Sequence, residues 1–368
     1  MYQGKTKYSV IEDWIRDQIR DGHLQPGDRL PSESALCTRF GVSRNSVRHA
    51  LLSLSQDGSV ETIKGVGTFC RARTEGRTTN IGFVCFFSHA YIFPSIVQGC
   101  DSVLYREGYH LLLAQSEYRL SRERDVLHNL RRKGVDGIIV EPINSGNGEN
   151  NLDLFRELDS SGVPVVFIDN YFPNEDFSSV ALDDRAAGRL AAEHLIAGGY
   201  TSVGLFYEDD YLPKLERIAG AVERFGEAGI TVPERWHVRF QGQGALSGAA
   251  DAAKAFFAHV GSDVLAPAAF ICTNDEEALH LIEAAEASGR RYPQDIAIVG
   301  FDNSDIAAVD RIGLTSIDHP SHYIGNLASR LILDAIRDGS NRRRSATRIN
   351  PQLIVRKSAP ALHSKELK

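Results

Sequence analysis

At 368 residues the chain exceeds one ordinary core, so two or three domains are expected. Its 42% hydrophobic and 24% charged content is that of a soluble globular protein, and no apolar run approaches bilayer length, which excludes a membrane-spanning helix. The formal net charge of −7 is uneven: residues 1–79 carry a basic excess, 12 Lys/Arg against 9 Asp/Glu, and the remainder is acidic.

The opening segment, MYQGKTKYSVIEDWIRDQIR, places charges at helical spacing and lacks an apolar signal core, so a cytoplasmic protein is expected. Cys37, Cys70, Cys85, Cys100 and Cys272 are scattered with no CxxC pair, which predicts free buried thiols rather than disulfides or a metal site.

Residues 8–21 predict an amphipathic helix with Val10, Ile11, Trp14, Ile15 and Ile19 on one face. A turn-rich link, GHLQPGDRLPSE, ends it. Ser32 then caps a second helix, ESALCTRF, whose inward residues are expected to be Ala35, Leu36 and Phe40. Gly41 suits the C-terminus of that helix, and Ser43 caps a third. Val47, Ala50, Leu51 and Leu54 form the third helix's apolar stripe, while Arg44, Asn45 and Arg48 project from the other side of its first turns.

Such a turn suits the major groove, where Arg pairs with guanine edges and Asn with adenine. Ser43 and Ser46 would sit near phosphates at the positive helix end. SVETIKGVGTFC predicts two short strands joined at Lys64-Gly65, a wing whose Gly65 and Gly67 allow close backbone approach to DNA. Piece by piece, a helical dimerisation module with a solvated basic face explains these residues equally well; the combination favours DNA.

The run QPGDRLPSESALCTRFGVSRNSVRHALLSLSQDG followed by GVGTF resembles the winged helix-turn-helix of the GntR family of bacterial repressors. By motif position the resemblance implies DNA contacts at Glu33, Ser34, Ser43, Arg44, Asn45, Ser46, Arg48, Lys64, Gly65 and Gly67. A domain over 1–71 follows, then a polar linker over 72–80.

Beyond it, apolar runs such as IGFVCFF, DGIIVEP, PVVFIDN, AAFICTND and DIAIVGFDN alternate with helical segments at 121–133, 185–198, 214–228 and 276–289. This βαβ alternation predicts an α/β architecture of two doubly wound parallel lobes with ligand beyond the strand ends. Glu141, Asp169, Asn274, Asp275 and Asp302 stand at such ends. Together they suit a polyhydroxylated ligand, although any one of them is explained as well by helix capping.

DDRAAGRLAAEHLIAGGYTSVGLF, RIAGAVERFGEAGI, FICTNDEEALHLIEAA and DIAIVGFDN resemble the effector domain of the LacI/GalR family, which shares its fold with periplasmic sugar-binding proteins. The resemblance implies an effector-binding and dimerisation domain over 81–360, with contacts at Asp169, Arg217, Asn274, Asp302 and His319. The pairing of such a head and sensor is similar to that of arabinose-responsive repressors, which adds Tyr91, Phe93 and Glu141 and favours L-arabinose. Typical LacI members carry a hinge helix in the minor groove. RARTEGRTTN has none, so signal is expected to pass through dimer geometry.

The expected protein is a homodimeric repressor on a palindromic operator, without cofactor, metal or catalytic residue. The rival is a dinucleotide- or sugar-dependent enzyme of Rossmann-like fold, suggested by Gly242 and Gly244 after HVRF. The third glycine position holds Ser247, and no P-loop, GxSxG or HExxH occurs. An exported binding protein would lack the DNA-type head.

Overall fold

Ser32, Gly41 and Ser43 punctuate the first of the two compact units, Met1–Thr78 and Thr79–Lys368, into which the chain divides. The computed structural model describes residues 7–20, 23–25, 27–56, 59–63, 66–70, 78–86, 92–143, 148–241, 247–260 and 268–361. In the first unit α1 spans Lys7–Arg20, α2 Glu33–Phe40 and α3 Arg44–Gln56, followed by β1 (Val60–Ile63) and β2 (Gly67–Cys70). The Ser32 hydroxyl accepts from the Ala35 N–H at 3.2 Å, and Gly41 ends α2 with φ +62°. The Ser43 hydroxyl accepts from the Ser46 N–H at 3.3 Å and so caps α3. Ile11, Ile15, Leu36, Val47, Ala50, Leu51 and Leu54 close one core with Leu30, Val60 and Cys70. Ala35, expected inward, is exposed. It lies in the first turn of an eight-residue helix whose inner face is filled by Leu36, with Cys37 and Phe40 beside it.

The second unit holds two sheets. Its first half runs β3 (Asn80–Cys85), α4 (Phe93–Leu104), β4 (His110–Gln115), α5 (Leu120–Lys133), β5 (Gly137–Val140), α6 (Leu152–Ser160), β6 (Val165–Ile168) and β7 (Ser178–Leu182). The second half begins with α7 (Asp184–Ala197), β8 (Val203–Glu208), α8 (Leu212–Glu227), β9 (His237–Phe240) and α9 (Ser247–Val260). It continues through β10 (Ala269–Cys272), α10 (Asp275–Ala287), β11 (Ala297–Asp302), α11 (Asp305–Ala308) and β12 (Thr315–Asp318). Finally α12 (Ser321–Asp338), β13 (Ala346–Ile349) and β14 (Gln352–Ile354) return to both lobes.

One sheet has the order β13-β7-β6-β5-β3-β4 and the other β14-β12-β11-β10-β8-β9. All pairings are parallel except β12 with β14. This is the two-lobed, doubly wound α/β fold. In each lobe the first strand has its two successors on opposite sides, which opens a crevice at the carboxyl ends. The lobes have separate cores, and α12 packs back on the first of them. Among the described residues no helix is long and apolar enough to cross a membrane.

Two glycines set the crossing of α7 and α8. A Cβ at Gly188 would lie 1.8 Å from the Arg217 carbonyl oxygen, and one at Gly220 would lie 2.0 Å from that of Arg185. The two backbones therefore touch, which seats Arg217 against Asp184 at the start of α7.

Glu123 of α5 is fully buried and accepts from the Ile143 N–H at 2.8 Å and the Asn151 amide at 2.7 Å. Burial pushes its carboxyl up to about 7, against the pull of those two bonds. A raised folded value means that its contribution to stability is complete below the ordinary 4.5 and is lost as pH rises through 7. Thermal melts between pH 4.5 and 8 should therefore show a decline that Glu123→Gln reduces. An unchanged slope in that variant would contradict the assignment.

Candidate functional site

In the first unit the two serine caps bring the starts of α2 and α3 onto one face. Ser34, Ser43, Arg44, Asn45 and Arg48 are exposed there, and Glu33 and Ser46 are half-buried. Ser32 and Ser43 share hydrogen bonds with Ser34 and Ser46 at 3.0 Å each. Glu33 has a partner that sequence reasoning did not foresee: Arg48 Nε donates to both of its carboxylate oxygens, at 3.1 and 3.2 Å. Both side chains are open to water, so this pair is worth at most about 1 kcal/mol and opens readily.

Gly67 begins β2 with φ +148°, and a Cβ there would stand 2.7 Å from the Arg29 guanidinium. Arg29, also missed, donates to the Val66 carbonyl at 2.5 Å and so ties the link before α2 to the wing. Lys64 and Gly65 lie outside the described residues.

In the second unit the strand ends of both lobes surround a cleft of about 800 Å³, part of it open to solvent. Phe93, Glu141, Asp169, Arg217, Asn274, Asp302 and His319 all line it. Tyr91 lies outside the described residues, as do Gly242 and Gly244.

Asp169 sits at φ +56°, a left-handed position for a residue with a side chain, immediately after β6. Its Oδ1 accepts from His319 Nε2 at 3.0 Å. His319 Nδ1 lies 2.7 Å from the Ser321 hydroxyl, which is also 3.2 Å from the His319 carbonyl oxygen. Burial disfavours a charged ring, but Asp169 outweighs it and the His319 pKa is raised.

Arg217 is 7% exposed. Its Nε donates to Asp184 at 2.7 Å, and a terminal nitrogen donates to the Thr273 carbonyl at 2.6 Å and to Asp302 at 3.2 Å. Burial pushes the Asp184 carboxyl up to about 6 although Arg217 pulls it down. Asn274 caps α10: its side-chain oxygen accepts from the Glu277 N–H at 2.7 Å. The capping role that sequence reasoning allowed for this residue is therefore real, even though Asn274 also lines the cleft.

Glu141 is 2% exposed. Burial first, then the Asp169 carboxylate, push its carboxyl well above the usual range. Glu141 Oε2 and Asp169 Oδ2 are buried and accept no hydrogen bond.

Phe86, Tyr118, Asp184, Glu208, Tyr211 and Lys214 also line the cleft and were not singled out from sequence. Lys214 is held between Glu208 at 2.5 Å and Glu277 at 2.7 Å. Burial disfavours its charge, but the two carboxylates more than offset this and keep it an ammonium. Its spacing of three from Arg217 on one helix face was the available signal.

Comparison with known proteins matches part of each unit. Residues 7–70 match the model of bacterial regulatory proteins of the gntR family, and residues 192–359 match a periplasmic binding protein-like domain. The arabinose metabolism transcriptional repressor of Geobacillus stearothermophilus is 30% identical over 355 residues, covering 96% of this chain and 97% of that protein. Its namesake from Halalkalibacterium halodurans is 28% identical, covering 98% and 99%. Among solved structures, the transcriptional regulator CelR in complex with cellobiose superposes with a TM-score of 0.68 at 23% identity, over 86% of this chain and 91% of that one. A LacI family transcriptional regulator from Enterococcus faecium with bound ribose gives 0.66 at 23% identity, over 77% and 99%. At such identity these two structures show the fold.

Proposed function

The chain belongs to the family of the arabinose metabolism transcriptional repressors, GntR-headed regulators with a LacI-type sensor unit, and on that basis we propose that it is a sugar-responsive repressor released from its operator by a monosaccharide, L-arabinose. The observation that carries the effector reading is the pair of buried acceptors, Glu141 Oε2 and Asp169 Oδ2, without a donor. An unpaired buried acceptor is costly, and sugar hydroxyls supply the missing donors. Phe86, Phe93, Tyr118 and Tyr211 give the same cleft the apolar surface that the C–H face of a sugar ring covers. The relative is named for arabinose metabolism, and the superposing regulators are complexes with cellobiose and ribose, in keeping with a sugar ligand. These relatives and neighbours are transcription regulators, not enzymes.

In this proposal the protein acts in the cytoplasm as a homodimer whose two heads engage a palindromic operator through Glu33, Ser34, Ser43, Arg44, Asn45, Ser46, Arg48 and the wing. The linker transmits lobe movement to the heads. A thermal-shift screen of monosaccharides, followed by operator release in a mobility-shift assay, tests it. L-arabinose is expected to raise the melting temperature and dissociate the complex; a response to another sugar alone would replace the effector, and no response would remove the sensor role.

The DNA-facing half has its own test. Arg44→Ala and Arg48→Ala should each weaken operator binding by about 1–3 kcal/mol, roughly ten- to a hundredfold, while leaving the sugar-induced thermal shift in place. Wild-type operator affinity in both variants would contradict the recognition-helix assignment.

A further inference from the structure

The two lobes meet at the cleft in a cluster that neither the strand-end acids nor the DNA-facing half accounts for. Tyr211 stands at the junction of β8 and α8, in the second lobe. Its hydroxyl crosses the cleft and donates to Glu141 Oε1, beyond the end of β5 in the first lobe, at 2.5 Å. Tyr118 crosses the other way and donates to the Asp210 carbonyl at 3.3 Å. Phe86 stacks edge-on against Tyr118 at 4.7 Å and Tyr211 at 5.8 Å, which leaves the Tyr211 ring little freedom.

The turn that presents Tyr118 is unusual. Glu117 and Tyr118 both have left-handed backbones, with φ +52° and +53°. Arg119 and Arg122 clamp Glu117 at 2.9 and 2.7 Å. Residues with side chains hold such angles only where their surroundings enforce them.

We propose that Tyr211 is a cross-lobe positioning residue, which aims Glu141 as an acceptor for the ligand and favours its carboxylate form, so that the site is complete only when the lobes are closed. The proposal rests on the reading of the cleft as a sugar site. A buried carboxyl next to Asp169 tends to take up a proton, and a protonated Glu141 presents a donor where a sugar hydroxyl needs an acceptor. A phenol donating to Oε1 favours the carboxylate and leaves Oε2 for the ligand. Because that phenol belongs to the opposite lobe, an open cleft rehydrates Glu141 but loses the contact that aims it. Recognition and closure thereby become one event.

Glu141 is faced by Cys85 at the end of β3, Tyr118 after β4, Glu123 of α5, Asp169 after β6, with His319 behind it, and Tyr211. Among these Tyr211 is the one that donates a side-chain hydrogen bond to it.

The test has two arms, both on the full chain. In the first, without sugar, thermal unfolding is measured for Tyr211→Phe, Glu141→Leu and the double variant. The proposal expects the Tyr211→Phe loss to shrink or vanish when Glu141 is already Leu-substituted; additive losses overturn it. In the second, calorimetry follows L-arabinose affinity from pH 5.5 to 8.5. Tyr211→Phe should shift the acid-side fall in affinity toward neutrality by about one unit, a roughly tenfold loss at the steepest point that recovers at high pH. A loss of equal size at every pH marks a merely structural role and overturns the proposal. Tighter binding than wild type shows that the hydroxyl competes with sugar, and overturns it too. If the first arm holds and no monosaccharide of the thermal-shift panel binds, the effector reading fails instead.

Discussion

Replacing Arg217 by methionine is expected to destabilise the sensor unit by about 3–5 kcal/mol, the cost of leaving buried charges without a partner. Arg217 holds Asp184 at 2.7 Å and Asp302 at 3.2 Å, and both carboxylates are as buried as the guanidinium. Asp184 is already pushed from the ordinary 3.8 up to about 6 by burial, with Arg217 the chief opposing influence. Without the guanidinium its carboxyl rises further. A raised folded value means stability that is complete at acid pH and lost as pH rises through that value. The deficit of Arg217→Met should therefore be smaller at pH 5 than at pH 8, because proton uptake by Asp184 replaces the missing cation. Arg217→Lys restores charge but not the fork that reaches Asp184, the Thr273 carbonyl and Asp302 together, so it should recover only part of the loss. Urea unfolding at the two pH values checks this. A deficit below about 1 kcal/mol, or one larger at pH 5, would mean that the ion cluster does not hold the cleft together.

How much of this cleft was legible in sequence depends on where each residue's partners lie. Asp169, Glu141 and Asp302 announce themselves locally, as polar residues closing apolar runs. Arg217 needed the family resemblance, and Lys214, three residues before it on α8, went unnoticed. Tyr118 and Tyr211 had no local signal at all. Their hydroxyls bond residues 92 and 70 positions away, a pairing made only by packing one lobe on the other. The head shows the same division. Ser32, Gly41 and Ser43 act within four residues and were read directly, whereas the Arg48–Glu33 pair and Arg29's hold on the wing join separate elements. In the sensor unit, β13 and β14 escaped notice because each is a short strand completing the edge of a different sheet. Neither is apolar enough to stand out.

The isolated fragment 1–79 is expected to bind an operator half-site feebly and to ignore sugar, while the full chain binds the palindrome at least about a hundredfold more tightly. Residues 1–79 carry 12 basic side chains against 9 acidic ones, and of the basic groups on the recognition face one, Arg48, is paired with Glu33. Each phosphate contact adds only a modest, salt-dependent increment, so one head acting alone binds poorly. Two heads in a symmetric dimer meet two half-sites related by a dyad, and once the first is bound the second acts at an effective concentration set by its tether. Linkage of this kind raises affinity by about 10²–10⁴ without any new contact. The same factor is what a ligand withdraws if it moves the heads out of register, leaving each head's own affinity untouched. Titration of the palindrome and of a half-site with fragment and full chain, with and without L-arabinose, separates these terms. The full chain should have about twice the salt slope of the fragment on the palindrome, and L-arabinose should return its affinity toward that of the fragment. Equal affinity of fragment and full chain for the palindrome would mean that the sensor unit contributes nothing to operator occupancy, and control through dimer geometry would have to be abandoned.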